Sequence, residues 1–285
     1  MPDLATIPVI FRELLSKRSF PREPEPDLIM DTHDNVDAYA DSGSMAGEMA
    51  ANYLFHTEQI CQTLKHCKTV IDLACGPATI LSLVAELNPG IHFIGIDLSQ
   101  PMLEKAKALI DQKKLTNVRF EQCDITRLEK HKDHSIDGII STMALHHLPA
   151  KDQLSRCFHE INRVLVQNGA LYLADFTRLK DLKSVLYFAY RDKKIPPLFA
   201  LDYERSLRAA FHLEDFQELV GQHFAENIHL HHTFLLKVMM IIKTQGYPVD
   251  TRVKNHLAKL KRGLDFKFRM VYREICLYFF LGGLK

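Results

Sequence analysis

Asp72 and Asp97 each close a short apolar run, and a turn of small residues, Ala74–Ala78, follows the first of them. The chemistry of that pattern is nucleoside binding. An acidic residue about 20 positions past a strand–turn–helix unit is placed to hydrogen-bond both hydroxyls of a ribose. Small side chains in the turn let the backbone approach a ligand closely. The turn reads Ala74-x-Gly76-x-x-Thr79. This departs from the G-x-G-x-x-G of nicotinamide-dependent oxidoreductases and argues against that class.

Elements of a particular kind must position these carboxylates. Val70–Leu73 and Ile91–Ile96 read as buried strands, and the stretch after Ala78 reads as a helix. Ser99 is placed to cap a helix that runs to about Asp111, with Pro101 in its first turn. Leu154, Cys157, Phe158, Ile161, Val164 and Leu165 repeat with helical period over 151–166, and Asn168-Gly169 is expected to stop that helix. A helix is also expected over 45–66 and another near 213–221, and two strands over 226–241. Residues 245–285 read as one or two basic amphipathic helices.

Several ordered segments resemble class I S-adenosylmethionine-dependent methyltransferases. Asp72-Leu73-Ala74-Cys75-Gly76-Pro77-Ala78 is similar to the first motif of that family, with Ala in place of Gly at positions 74 and 78. Ile94–Ser99 resembles the acidic end of the second strand, and Arg119–Ile125 the third strand. Ile136–Ser141 with Ala144–Leu148 resembles the fourth strand and its loop, and Asn168–Asp175 the fifth strand. The resemblance implies an α/β, Rossmann-like, doubly wound sheet of seven strands with an antiparallel last strand, plus helical additions at both ends. It divides the chain into an N-terminal segment with a cap helix (1–67), a methyltransferase domain (68–242) and a basic helical extension (243–285). Residues 178–211 would be an insertion that caps the substrate pocket.

The same resemblance implies S-adenosylmethionine as cofactor. Asp97 would hold the ribose and Asp124 the adenine amino group, with Leu98, Met102 and Ile125 around the adenine. Asp72, Ala74, Cys75 and Gly76 would form the loop beside the amino-acid part. Ser141 leaves the fourth strand where the methyl group should sit, and Tyr39 would close over the cofactor.

Methyl transfer from a sulfonium is an in-line displacement with a neutral leaving group. The protein mainly aligns the reactants and excludes water, and it needs a base only when the acceptor must lose a proton. His146 is the candidate for that base, because an imidazole titrates near neutral pH. Ser141-Thr142-Met143-Ala144 stands where amine methyltransferases of this fold carry an Asn/Asp-Pro-Pro-aromatic loop, and it contains no Pro-Cys nucleophile. The aromatic content of 178–211 suits a small, partly apolar acceptor. The alternatives are an RNA or protein methyltransferase, or a cofactor-binding scaffold without activity. His229, His231 and His232 do not read as a metal site: 229 and 231 share a strand face, 232 points away, and no cysteine or carboxylate completes them. No metal is expected.

The bulk properties agree with a globular protein. Hydrophobic residues make up 47% and charged residues 25% of the 285 positions. No run approaches the roughly 20 apolar residues that span a bilayer. The six cysteines form no CxxC pair, and the first residues lack the pattern of a secretory leader. A cytoplasmic location with reduced thiols is expected. Charge is unevenly distributed. Residues 243–285 hold ten Lys/Arg and three Asp/Glu, and the remainder holds 26 and 32. The basic segment could pack as a lid or dimer element, touch an anionic membrane through 252–285, or contact RNA phosphates. The order of preference is as given, because the rest of the chain is acidic. Nucleic acid is therefore not the expected partner, and the oligomeric state is left open.

Overall fold

A computed structural model describes residues 4–17, 19–26, 49–193, 195–224 and 226–284. Its centre is a seven-stranded sheet: β1 (Thr69–Leu73), β2 (His92–Asp97), β3 (Val118–Gln122), β4 (Ile136–Thr142), β5 (Leu165–Phe176), β6 (Ile228–His232) and β7 (Met239–Thr244). The strand order is β3-β2-β1-β4-β5-β7-β6. The pairs from β3 to β5 are parallel, and β7 is antiparallel to both β5 and β6. The order reverses between β1 and β4, and ligands of open α/β sheets bind at the carboxyl ends beside that switch point.

The continuous apolar runs in the sequence become strands because both faces of the sheet are covered. Ile71, Leu73, Ile94 and Ile139 point to one side. Val70, Phe93 and Ile140 point to the other. Helices α1 (Ile7–Leu15), α2 (Ala50–Thr63), α3 (Thr79–Leu87), α4 (Gln100–Gln112) and α5 (Lys151–Val164) precede the insertion. Helices α6 (Leu182–Tyr190), α7 (Pro197–Ala209) and α8 (Leu213–His223) follow β5. The chain ends on α9 (Thr251–Gly263) and α10 (Phe266–Leu281). The expected cap is present: Ser99 Oγ accepts from Met102 N at 3.3 Å.

Helix α5 stops at Val164, before Asn168-Gly169, because Leu165 already pairs with Ile136 as the first residue of β5. Asn168 takes a φ of 60° within that strand, and the pairing jumps from Ile136–Leu165 to Gly138–Ala170. Asn168-Gly169 is thus a bulge rather than a helix stop. The sheet also runs to Thr244, past the boundary at 242.

The C-terminal extension packs on the domain. Phe279 is fully buried and stacks on Phe55 of α2, with centroids 5.2 Å apart. Lys261 donates to both oxygens of Glu58 at 2.8 Å. Among the described residues no helix is long and apolar enough to cross a membrane.

Candidate active site

The turn after β1 is built from three left-handed residues: Ala74 (φ 52°), Gly76 (φ 53°) and Ala78 (φ 61°). An alanine in this conformation costs about 1–2 kcal/mol, so the turn stores strain that the surroundings must hold. Asp97 holds it. One carboxylate oxygen accepts from Gly76 N at 2.8 Å and the other from Ser99 N at 2.9 Å. The methyl group of Ala78 is fully buried in the core and does not obstruct the ligand path. Gly95, on the neighbouring strand, has no room for a side chain. A Cβ there would lie 2.7 Å from the Phe120 ring and 3.0 Å from Cys75 Sγ.

These segments line a crevice of about 160 Å³ at the carboxyl ends of the parallel strands. Asp72, Ala74, Cys75, Gly76, Asp97, Leu98, Met102, Asp124 and Ile125, all named from the sequence, lie along it. Asp124 is fixed at the rim: its Oδ1 accepts from Thr126 N and Thr126 Oγ1, both at 2.8 Å. Burial lifts the Asp72 carboxyl well above its ordinary value, and the neighbouring Asp97 charge adds to the rise. Burial raises Asp97 as well, partly countered by its backbone N–H donors. Burial next to these carboxylates likewise keeps Cys75 as a thiol, so it is not a nucleophile.

Two expected residues sit elsewhere. Ser141 is fully buried and donates to Leu73 O at 2.9 Å, tying β4 to β1. It does not line the crevice, whereas its neighbour Thr142 does. The shift follows from strand alternation: a step of one residue turns a side chain to the other face. Tyr39 lies outside the described residues.

A second cavity of about 240 Å³ abuts the first, and Tyr53, Met143 and His147 line both. Phe188, Phe199 and Tyr203 of the 178–211 insertion form part of its wall, as do Phe268, Val271 and Ile275 of α10. Tyr190, by contrast, faces outward, and Phe211 packs in the core.

His146 lines this second cavity and not the crevice. Its Nδ1–H donates to Asp175 Oδ1 at 2.6 Å, and its backbone N–H donates to Asp175 Oδ2 at 2.9 Å. Asp175 is the next-to-last residue of β5 and is fully buried. The carboxylate therefore fixes the tautomer and leaves Nε2 as the acceptor nitrogen. Nε2 is buried without a hydrogen-bond partner.

An N-terminal strap, residues 19–26, is bonded to His146, His147 and Ser206, which line the cavity. Arg22 donates to the carbonyl oxygens of Ala209 (2.6 Å), His146 (2.9 Å), Leu148 (2.7 Å) and Pro149, and its guanidinium lies 3.9 Å from the Phe211 ring centroid. Burial, then the neighbouring Arg178, lowers its pKa to about 10, still charged at neutral pH. Replacing Arg22 by Ala leaves those carbonyls without a donor, at about 2–4 kcal/mol. The expected result is a fall in Tm of about 4–8 °C and faster proteolysis within 19–26, read by calorimetry and by limited digestion.

Glu25, at the end of the strap, accepts from His147 Nδ1 at 2.8 Å and from Ser206 Oγ at 3.0 Å, and lies 3.8 Å from His146 Nε2. Burial alone would raise the Glu25 pKa, but the His147 bond and charge outweigh it and hold it at about 2. Burial works against protonation of His147, but the hydrogen bond and charge of Glu25 raise its pKa above 6.5. The depressed carboxyl stabilises the strap above pH 4.5, and this contribution is lost as pH falls toward 2. The raised imidazole stabilises it fully below 6.5, and this contribution is lost as pH rises through the folded value. Strap docking should thus be strongest between pH 4.5 and 6.5. The Tm difference between the wild type and Glu25→Gln, measured against pH, should peak in that window. A difference that does not vary with pH would contradict the ion pair.

Residues 64–198 match a methyltransferase-domain family. That stretch is a methyltransferase domain. The chain is 29% identical over 118 residues to a probable methyltransferase, ltbC, of Aspergillus luteorubrus, a match that covers 39% of this chain and 41% of that protein. It is 24% identical over 197 residues to a malonyl-[acyl-carrier protein] O-methyltransferase of Legionella pneumophila, covering 66% of this chain and 63% of that one. The chain thus spans less than two thirds of either relative. The fold is shared with the plantazolicin methyltransferase BpumL, solved in complex with SAH. The TM-score is 0.56 at 15% identity, over 82% of this chain and 86% of that one.

No local pattern in the sequence marks Arg22, Glu25, Asp175 or Tyr53 as site residues, nor Asp202, which lines the second cavity. One cue was available for the strap. The Pro21-Arg-Glu-Pro-Glu-Pro26 run cannot be a regular helix, so its charges had to find partners in other segments. His146, His147 and Glu25 bring ligand-capable atoms within 4.8 Å of one another. The Glu25–His147 hydrogen bond already uses two of those atoms. His229 and His231 lie on β6 with ring centroids 6.4 Å apart, away from both cavities.

Proposed function

We propose that the protein transfers the methyl group of S-adenosylmethionine, held in the crevice, to a hydroxyl of a small, partly apolar acceptor held in the second cavity. The single observation that carries this reading is the position of His146. It lines a cavity that shares a wall with the crevice, and its Nε2 makes no hydrogen bond and lies 3.8 Å from the Glu25 carboxylate. Asp97 grips the ribose, Asp124 meets the adenine, and Leu98, Met102 and Ile125 pack around the base. Asp72, Ala74, Cys75 and Gly76 frame the amino-acid end. His146 takes the hydroxyl proton as the oxygen attacks in line, and Asp175 acts as a positioning residue that holds the imidazole in the accepting tautomer. Met143 and Tyr53 exclude water where the two cavities meet, which supports alignment of the reactants.

The name of the Legionella relative, an O-methyltransferase, supports oxygen as the acceptor atom. The cavity volume of about 240 Å³ suits a small molecule better than a protein or RNA chain. The six cysteines are free, which fits a cytoplasmic location.

The test is incubation of the protein and radiolabelled cofactor with fractionated cell extract. Label in a small-molecule or lipid fraction supports the reading. Label in RNA or protein, or no transfer from a chain that binds the cofactor, overturns it.

A further inference from the structure

Exposed apolar residues are unevenly distributed over this molecule. Among the described residues, no large hydrophobic side chain between 49 and 181 is exposed. Apart from Tyr247, those that are exposed lie on α1, on the cap helices α6 and α7, in the loop at 234–235 and on α10. Helix α10 carries the most continuous set. Phe266 (73% exposed), Met270, Leu277, Phe280 (66%) and Leu281 recur at helical spacing along one face. Arg269 and Arg273 are exposed on the same face. The opposite face of α10, with Phe268, Val271 and Ile275, lines the second cavity.

We propose that this outer face of α10 docks on the surface of an anionic lipid bilayer. An interfacial helix combines bulky apolar side chains with basic ones, and it draws binding energy from buried apolar area and from attraction to anionic lipid. The face is complementary to such a surface: Arg269 and Arg273 are exposed on it, within a segment that holds ten basic and three acidic residues over 243–285, of which Lys261 and Lys267 pair with Glu58 and Asp192. The same charge disfavours a twofold contact between two copies through this face, because like-charged segments would meet. Docking would set the cavity beside the bilayer, with α10 as the wall between them. Resting on the methyl-transfer reading, the acceptor is then an apolar molecule that partitions into the membrane and reaches the cavity from it.

Co-sedimentation of the full chain with vesicles tests the docking without recourse to activity. The chain should sediment with vesicles of phosphatidylcholine and phosphatidylglycerol, and much less with phosphatidylcholine alone. The double variant Arg269→Glu, Arg273→Glu should lower partitioning by at least about 30-fold, as about 1 kcal/mol per basic side chain implies. Phe280→Ser should lower it further. Cofactor affinity measured by calorimetry should be unchanged in these variants, which shows that the domain is folded. Sedimentation that ignores anionic lipid, or survives the double variant, overturns the proposal. A chain that dimerises in solution and leaves vesicles untouched also overturns it. Vesicle binding without methyl transfer would sink the functional reading alone and leave the docking intact.

Discussion

Replacing Asp97 by Ala should weaken S-adenosylmethionine binding by about 100- to 1,000-fold in a calorimetric titration. The carboxylate has two tasks. It would accept the ribose hydroxyls, and it already accepts from Gly76 N and Ser99 N. Hydrogen bonds to a charged group contribute about 1.5–3 kcal/mol each. Their loss removes ligand contacts and frees a turn held at left-handed Ala74 and Ala78. A loss of about 3–4 kcal/mol corresponds to that range of affinity. Asp97→Asn keeps the shape and one acceptor oxygen, so a smaller loss is expected. Because burial lifts the Asp97 pKa above 3.8, acidification should weaken binding before an exposed carboxylate would titrate. Unchanged affinity in Asp97→Ala would remove the nucleoside assignment.

The second large effect should appear in turnover. His146→Gln should lower kcat by about 100- to 10,000-fold, the usual range for a general base, with little change in cofactor affinity. Asp175→Asn tests the positioning role. It preserves the packing at the end of β5 but no longer holds His146 with Nδ1–H and a free Nε2. A lower kcat with a displaced pH–rate profile is expected. A variant that loses stability yet keeps the wild-type profile would show that the pair only supports the fold. The two experiments separate cleanly, since Asp97 and His146 lie on different cavities that meet at Tyr53, Met143 and His147.

The crevice half of the candidate site was legible because it is local. Asp72, the turn and Asp97 lie within one strand–turn–helix–strand unit, and the apolar runs fix which strands are buried. A carboxylate at a strand end has one direction to face, so Asp97 and Asp124 reach the crevice as expected. Ser141 shows the limit of that logic, because a shift of one residue along a strand reverses a side chain. The Asn168-Gly169 bulge shows another. A helix-stop dipeptide was overridden by pairing of Leu165 with Ile136, a contact that no local pattern contains.

By itself, the sequence determined the fold class, the side chains gathered at the crevice and the uneven charge, because strand burial, turn chemistry and composition act over short stretches of chain. Tertiary structure alone decided the second cavity. Glu25 meets His147, Asp175 meets His146, and α10 closes the cavity whose other walls come from the cap. Those partners are brought together by packing across the whole chain, and no spacing rule links side chains that only the folded core holds within reach.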